Sequence, residues 1–301
     1  MESAKIFILP MLSSQSSADA MLGAPAETEL PVRVIRPRRG LIGIHWAELW
    51  RYRELFGFLV WRDILIRYKQ TYLGVAWAVV QPVLYMVVFS CVGRLAGFPT
   101  YGVPTALVTL AGLLPWQFFS TALTDSSNSL LASSNMISKV YFPRLIVPAG
   151  AVLSGVVDFA VSLALFLIMQ VYYRVPFRVE MLLIPLFFLY AVLAAFGAGV
   201  WMSALSVRYR DVKYIVPFLT RIGLYACPVA FVSAIVPARW HFWYSLNPLV
   251  GIIDGFRWCA LGPAFAPDWT GLVLSFLITL AVAASGLAYF RGAERRFADL
   301  I

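Results

Sequence analysis

Charge is what this 301-residue chain has least of. Only 13% of its residues are Asp, Glu, Lys or Arg, where a soluble domain carries about 25%. Hydrophobic residues make up 61%, and the mean hydropathy is +0.79. That leaves too little polar surface to coat a water-soluble globule of this length. The same figures exclude a disordered chain, a collagen and a coiled coil. Cysteine is scarce too: three residues cannot build a disulfide framework. Cys91, Cys227 and Cys259 lie in apolar surroundings without paired spacing and read as small buried hydrophobes. The two histidines, His45 and His241, are far apart in sequence and expected on opposite sides of a membrane, so they make no metal site together. No Lys follows a Gly, which removes the GxxxxGK[ST] phosphate loop and nucleotide hydrolysis by that route. What remains is one membrane domain with a modest appendage.

The net charge is +9, and nine of the 24 Lys and Arg fall between Arg33 and Lys69, ahead of the first long apolar run. Such a block suits nucleic acid in a soluble protein. Beside a membrane span it reads as attraction to anionic lipid or as an orientation signal, and no nucleic-acid partner is expected.

A helix needs about 20 apolar residues to cross the hydrocarbon. Six runs qualify: 73–93, roughly 104–123, 145–173, 181–207, 214–236 and 270–290. Asp158 lies deep in the third and Arg221 in the fifth. An ionisable group at a helix centre costs about 2.5–3.5 kcal/mol and should face protein or water. Asp158 is read as a contact between helices or as part of a path, Arg221 as a snorkelling side chain. Neither has an evident partner at relay spacing, which speaks against a proton-driven pump. With the basic block inside, the remaining inner segments carry eight Lys and Arg against five outside, so both termini are placed in the cytoplasm. Between spans five and six, Trp240, Phe242, Trp243 and Tyr244 lead into Asn247-Pro248 and then Phe256 and Trp258. Aromatics with scattered charge suit a re-entrant helix pair, in which Asp254 and Arg257 could pair across one turn. A seventh span broken by Pro248 is the alternative.

The first thirty residues lack a good signal-peptide pattern, and 13–29 read as a disordered tail. Trp61, Ile64, Leu65 and Tyr68 recur at helical spacing, with Arg62, Asp63 and Arg67 pointing away, which predicts an amphipathic helix in the membrane surface. Gly57 could divide it from an earlier piece. Gly93 with Gly97, and Gly251 with Gly255, have the GxxxG spacing of close helix packing. Aromatics are 15% of the chain, and Tyr85, Trp116, Phe119 and Tyr225 lie within spans. Each alone suits packing or lipid contact; together they would suit a ring-lined conduit for sugars.

One further pattern runs through the chain. Arg67-Tyr68-Lys69-Gln70-Thr71-Tyr72-Leu73-Gly74, Leu113-Leu114-Pro115-Trp116, Lys139-Val140-Tyr141-Phe142-Pro143-Arg144, Val207-Arg208-Tyr209-Arg210-Asp211, Asn247-Pro248, Gly255-Phe256-Arg257-Trp258 and Glu294-Arg295-Arg296-Phe297 occur in order. The chain from about residue 46 onward thus resembles the ABC-2 type polysaccharide and polyol-phosphate export permeases. The resemblance implies an all-α integral membrane fold with six spans, an interface helix region at 46–72, a transmembrane domain at 73–301 and an extension at 1–45 outside it. It implies a multi-pass protein of the bacterial cytoplasmic membrane, a homodimer paired with two copies of an ATP-binding subunit. That subunit would bind ATP and Mg, so this chain would need no cofactor, hold no metal and be no enzyme by itself. The cargo would be a glycan linked to undecaprenyl pyrophosphate, O-antigen-like in the first instance, with capsular polysaccharide or teichoic acid as alternatives. Arg67, Lys69, Tyr72, Leu73 and Gly74 would form the inner portal. The segment from Asn128 through Asn135 and Lys139 would couple to the ATPase, and Trp243, Asn247, Pro248, Phe256 and Arg257 would form the outer gate.

Two rivals stand beside this reading. A membrane enzyme acting on lipid-linked sugar would need converging carboxylates, but Glu180, Asp254 and Asp268 are widely spaced. An ion-coupled carrier would be expected to show an internal repeat, and none is evident.

Overall fold

The computed structural model describes residues 50–69, 74–294 and 297. The tail reading for 13–29, and the portal residues Tyr72 and Leu73, lie outside the described residues. Among those described, the secondary structure is helical throughout. The elements are α1 (Arg53–Tyr68), α2 (Gly74–Leu95), α3 (Thr105–Ala132), α4 (Ser134–Ile137), α5 (Ile146–Ser154), α6 (Val156–Tyr172), α7 (Ile184–Arg208), α8 (Val212–Ala226), α9 (Ala238–Ser245), α10 (Pro248–Leu261) and α11 (Trp269–Glu294).

Five segments are long and apolar enough to cross a membrane: Ala76–Leu95, Thr105–Ala132, Ile146–Tyr172, Val179–Arg208 and Trp269–Glu294. They match the expected spans one to four and six. The stretch expected as span five does not form one continuous helix. Its helix, α8, has 15 residues, about 22 Å at 1.5 Å per residue. Pro228 explains the stop, because a residue before proline is pushed out of the helical region. Cys227 accordingly takes φ −95° and ψ 156°. The chain then winds through the buried Val229 and Val232 into a short 3-10 turn, Ser233–Ile235.

Around Asn247-Pro248 the chain makes two helices rather than one broken span. The Asn247 side chain accepts a hydrogen bond from the Leu249 amide at 3.1 Å, and Pro248 occupies the first turn of α10, where its missing N–H costs nothing. Pro248 therefore starts a helix. Gly262 ends it at φ +105°, a conformation that side-chain-bearing residues rarely adopt.

α3 is the central helix. It packs against α7, α5, α2, α10, α6 and α8 and is buried along most of its length. α7 lies against α11 so closely that a Cβ on Gly197 would stand 2.7 Å from the Ala283 Cα. Of the two GxxxG pairs, Gly251 faces Ser275 and Gly255 faces Phe187, so this pair does bring helices together. At Gly97 an added Cβ would meet nothing; that glycine serves a turn at φ +68°.

α1 runs unbroken through Gly57, contrary to the expected division. It has two apolar rows. One, centred on the buried Leu59 with Tyr52, Leu55 and Phe56, packs on the bundle at α5, where Gly150 leaves room. The other leaves Trp61 and Ile66 exposed, at 58% and 70%. Arg67 and Tyr68 turn inward, so the expected outward direction of Arg67 is corrected.

Candidate functional site

A cavity of about 590 Å³ opens between the C-terminal end of α1 and helices α2, α3 and α6. Its wall mixes apolar surface (Pro82, Leu114, Phe118, Phe159), an aromatic ring (Trp77), amides (Gln81, Gln117), hydroxyls (Tyr68, Thr121, Ser162) and three charges (Arg67, Asp125, Asp158).

The charges form one cluster. Arg67 Nη1 donates to Asp158 Oδ2 and Nη2 donates to Asp125 Oδ2, while the Tyr68 hydroxyl donates to Asp158 Oδ1. The guanidinium fork can serve two carboxylates because its donors are fixed in a plane and directed apart. Side-chain exposures of 25% for Arg67, 37% for Asp125 and 31% for Asp158 place the cluster at the cavity wall rather than in the core. Burial alone would lower the basicity of Arg67, but the charges of Asp125 and Asp158 outweigh it and raise the pKa. The Tyr68 hydroxyl is likewise pushed above its ordinary value, first by burial and then by its hydrogen bond to Asp158.

Asp158 thus does have partners, brought by a helix ninety residues earlier in the chain. Asp125 was not anticipated, because the expected second span ended at 123. The helix instead continues through 124–129 despite its polar sequence. Three of the small side chains there bond back to their own helix: Thr124 Oγ1 to Ser120 O at 2.8 Å, Ser127 Oγ to Thr124 O at 2.7 Å and Ser129 Oγ to Ser126 O at 2.7 Å, while the Ser126 hydroxyl is buried without a partner among the described residues. Hydroxyls that bond back to their own helix can remain inside a bundle. The sequence signal was an acid directly after the charge-free stretch from Leu95 to Thr124.

The other expected site residues are scattered. Lys69 is exposed at the end of α1, its amide bonded to Leu65 O at 2.8 Å. Gly74 begins α2. Trp116 is buried, sits 6.3 Å from Phe119 and covers Gly223, where a Cβ would stand 2.6 Å from the indole. Tyr85 and Tyr225 are exposed and both flank Phe89, with ring centroids 6.4 Å and 6.3 Å away. The four rings therefore form two groups rather than one row. Asn128 belongs to the last turns of α3, bonded to Thr124 O at 3.0 Å, so the polar tip begins later than expected. That tip includes the exposed Asn135, Lys139, Val140 and Tyr141 beside α4.

At the expected gate, Trp243 is exposed, while Phe256 and Arg257 are fully buried. The expected Asp254–Arg257 pair is not formed. Arg257 instead donates to three carbonyls: Nε to Val108 at 3.2 Å, Nη1 to Phe231 at 2.7 Å and Nη2 to Val229 at 2.6 Å. Gly112 provides the space, since a Cβ there would come within 2.5 Å of the guanidinium. A smaller cavity of about 200 Å³ borders Asp254, Tyr244, His241 and Ser233. Among the described residues, no His, Cys, Asp or Glu side chains gather in threes that could hold a metal ion.

Comparison with known proteins adds relatives to this geometry. An O-antigen export system permease protein RfbA of Klebsiella pneumoniae is 26% identical over 244 residues, 80% of this chain and 92% of the relative. A protein of the same description from Myxococcus xanthus is 26% identical over 263 residues, 84% of this chain and 98% of the relative. The polysialic acid transport protein KpsM of Escherichia coli is 21% identical over 244 residues, covering 77% and 91%. The ABC-2 type transporter family matches residues 54–261, from the start of the α1 helix to the end of α10. With that match covering well over half of its length, and with five helices fit to cross a bilayer, the chain belongs to the ABC-2 type transporter family.

Proposed function

We propose that the chain is the permease subunit of an ATP-driven exporter that moves a lipid-linked, O-antigen-like polysaccharide across the bacterial cytoplasmic membrane. The observation that carries the reading is the cavity at the junction of α1 with the first span, which offers apolar wall, an aromatic ring, amides and a guanidinium together. A lipid-linked glycan presents acyl chain, anionic phosphate and sugar hydroxyls in that same close succession. Two copies of the chain enclose the conduit, and two ATP-binding subunits supply the work. Both termini lie in the cytoplasm; α8 with the segment after it serves as the fifth crossing, and α9 and α10 form the re-entrant gate.

In this scheme the portal is built from Arg67, Lys69, Tyr72, Leu73 and Gly74, with Arg67 and Lys69 meeting the diphosphate of an undecaprenyl carrier. The tip carrying Asn135 and Lys139, with Asn128 behind it, receives the push of the ATPase. Closure of the ATP-binding subunits shifts the equilibrium of the pair toward an open conduit, to the extent that ATP binds the two states differently. Tyr85, Trp116, Phe119 and Tyr225 give the polymer many weak contacts. Trp243, Asn247, Pro248, Phe256 and Arg257 shape the exit. The likeness to a polysialic acid transporter favours capsular polysaccharide as the second reading, at lower identity; teichoic acid export would use the same mechanism.

The test is reconstitution. Proteoliposomes holding the chain and its ATP-binding partner should translocate lipid-linked O-polysaccharide only when ATP is supplied. The chain alone should neither hydrolyse ATP nor form a new glycosidic bond. Transport without the partner, or turnover of sugar by the isolated chain, would overturn the reading.

A further inference from the structure

The Arg67 cluster is unlike a structural clamp in two respects. Among the described residues it sets one guanidinium against two carboxylates, an excess of negative charge, and its side chains are 25–37% exposed beside an open cavity. Ion pairs that serve stability alone need good compensation, because the cost of removing charges from water is otherwise not recovered.

Its place in α1 matters as well. Leu59 is the buried residue of α1 and fixes the middle of the helix to α5. Toward the C-terminal end, Trp61 and Ile66 are exposed, Ile64 and Leu65 are half-buried, and Arg67 and Tyr68 make charged hydrogen bonds to Asp125 on α3 and Asp158 on α6. Polar contacts thus help to hold the end of the helix that leads into the first span, and polar contacts can be exchanged for others.

We infer that Asp125 and Asp158 form an electrostatic latch on Arg67, and that a diphosphate head group entering the cavity opens it by taking over the guanidinium. The inference rests on the exporter reading and gives two acids a role as positioning residues. A phosphate approaching Arg67 meets two carboxylates already there, and like charges at that distance oppose shared binding. The guanidinium must leave one set of oxygens to serve the other. When it leaves, α1 loses its hold on α3 and α6 and can pivot about Leu59. Arrival of cargo thereby becomes movement of α1, and an empty transporter stays latched.

The complex of chain and ATP-binding partner, in nanodiscs of phosphatidylethanolamine and phosphatidylglycerol, provides the test. ATP hydrolysis is measured against increasing undecaprenyl pyrophosphate, with undecaprenol as the arm lacking phosphate. Wild type should be stimulated by the diphosphate and not by the alcohol. In the doubly substituted Asp125→Asn, Asp158→Asn chain, lipid-free hydrolysis should rise toward the stimulated rate, and half-maximal stimulation should need several-fold less diphosphate. Arg67→Lys, whose single ammonium cannot fork between both acids, should also raise lipid-free hydrolysis but need more diphosphate. A merely structural cluster would lower activity in both variants without moving the lipid dependence in opposite directions. Wild-type curves from both variants would sink the latch while leaving the exporter reading intact. Absence of any diphosphate effect on the wild type would sink the carrier contact and the latch with it.

Discussion

At the scale of single residues, Arg257 shows how a side chain can be read by type and misread by partner. Its spacing from Asp254 suggested a local pair, but its donors go to carbonyls of residues 108, 229 and 231. The carbonyls of 229 and 231 are available because α8 stops at Ala226 and the chain leaves the helix, while that of 108 comes from α3, and no local pattern encodes the meeting. Arg257→Ala would leave three acceptors without their charged donor inside the fold. A hydrogen bond to a charged group contributes about 1.5–3 kcal/mol, so a loss of at least about 3 kcal/mol is expected. Thermal unfolding of the detergent-purified chain should show it as a large drop in midpoint. Arg257→Lys should recover only part, because one ammonium cannot reach all three carbonyls. The Arg67 cluster was hidden for a related reason. The helical spacing in α1 identified apolar residues correctly, but two apolar rows were available and spacing cannot say which one meets protein. The partner acids lie 58 and 91 residues further along the chain.

At the scale of elements, existence and type were legible where charge-free runs were long, as in α2, α7 and α11. Boundaries failed where hydroxyl side chains bond back to their own helix, as at the end of α3, or where proline acts through its neighbour, as at the end of α8. Glycine carries the clearest element-level contrast. In α1, Gly57 has nothing within 4 Å of an added Cβ, whereas in α7 the Cβ of an alanine at Gly197 would press on the Ala283 backbone at 2.7 Å. Gly57→Ala should therefore stabilise the chain by about 0.5–1 kcal/mol, through helix propensity alone. Gly197→Ala should destabilise it by about 1–3 kcal/mol, since backbone cannot move aside as a flexible side chain would. Paired melting curves of the two variants check both signs at once.

At the scale of the whole molecule, the helices divide into one wrapped by the others and several that form the periphery. The division follows from α3 meeting most of the other helices while α2 shows broad apolar surface along one side. It was not visible in composition, since both helices are charge-free over most of their length. Trp116 on α3 is 5% exposed, and Trp77 on α2 is 55% exposed. Variants keeping only one of these tryptophans, placed in bilayers of brominated phosphatidylcholine, should separate clearly: strong fluorescence quenching at Trp77 and little at Trp116. Equal quenching would contradict the observed burial. The sheltered position of α3 has a practical corollary. Acyl-chain length and bilayer fluidity should act on the peripheral helices first, and a change in membrane thickness should reach the Asp125 end of the central helix only through its protein neighbours. Growth temperature, which resets lipid composition in bacteria, would then tune the rim of the molecule while its axis keeps a constant environment.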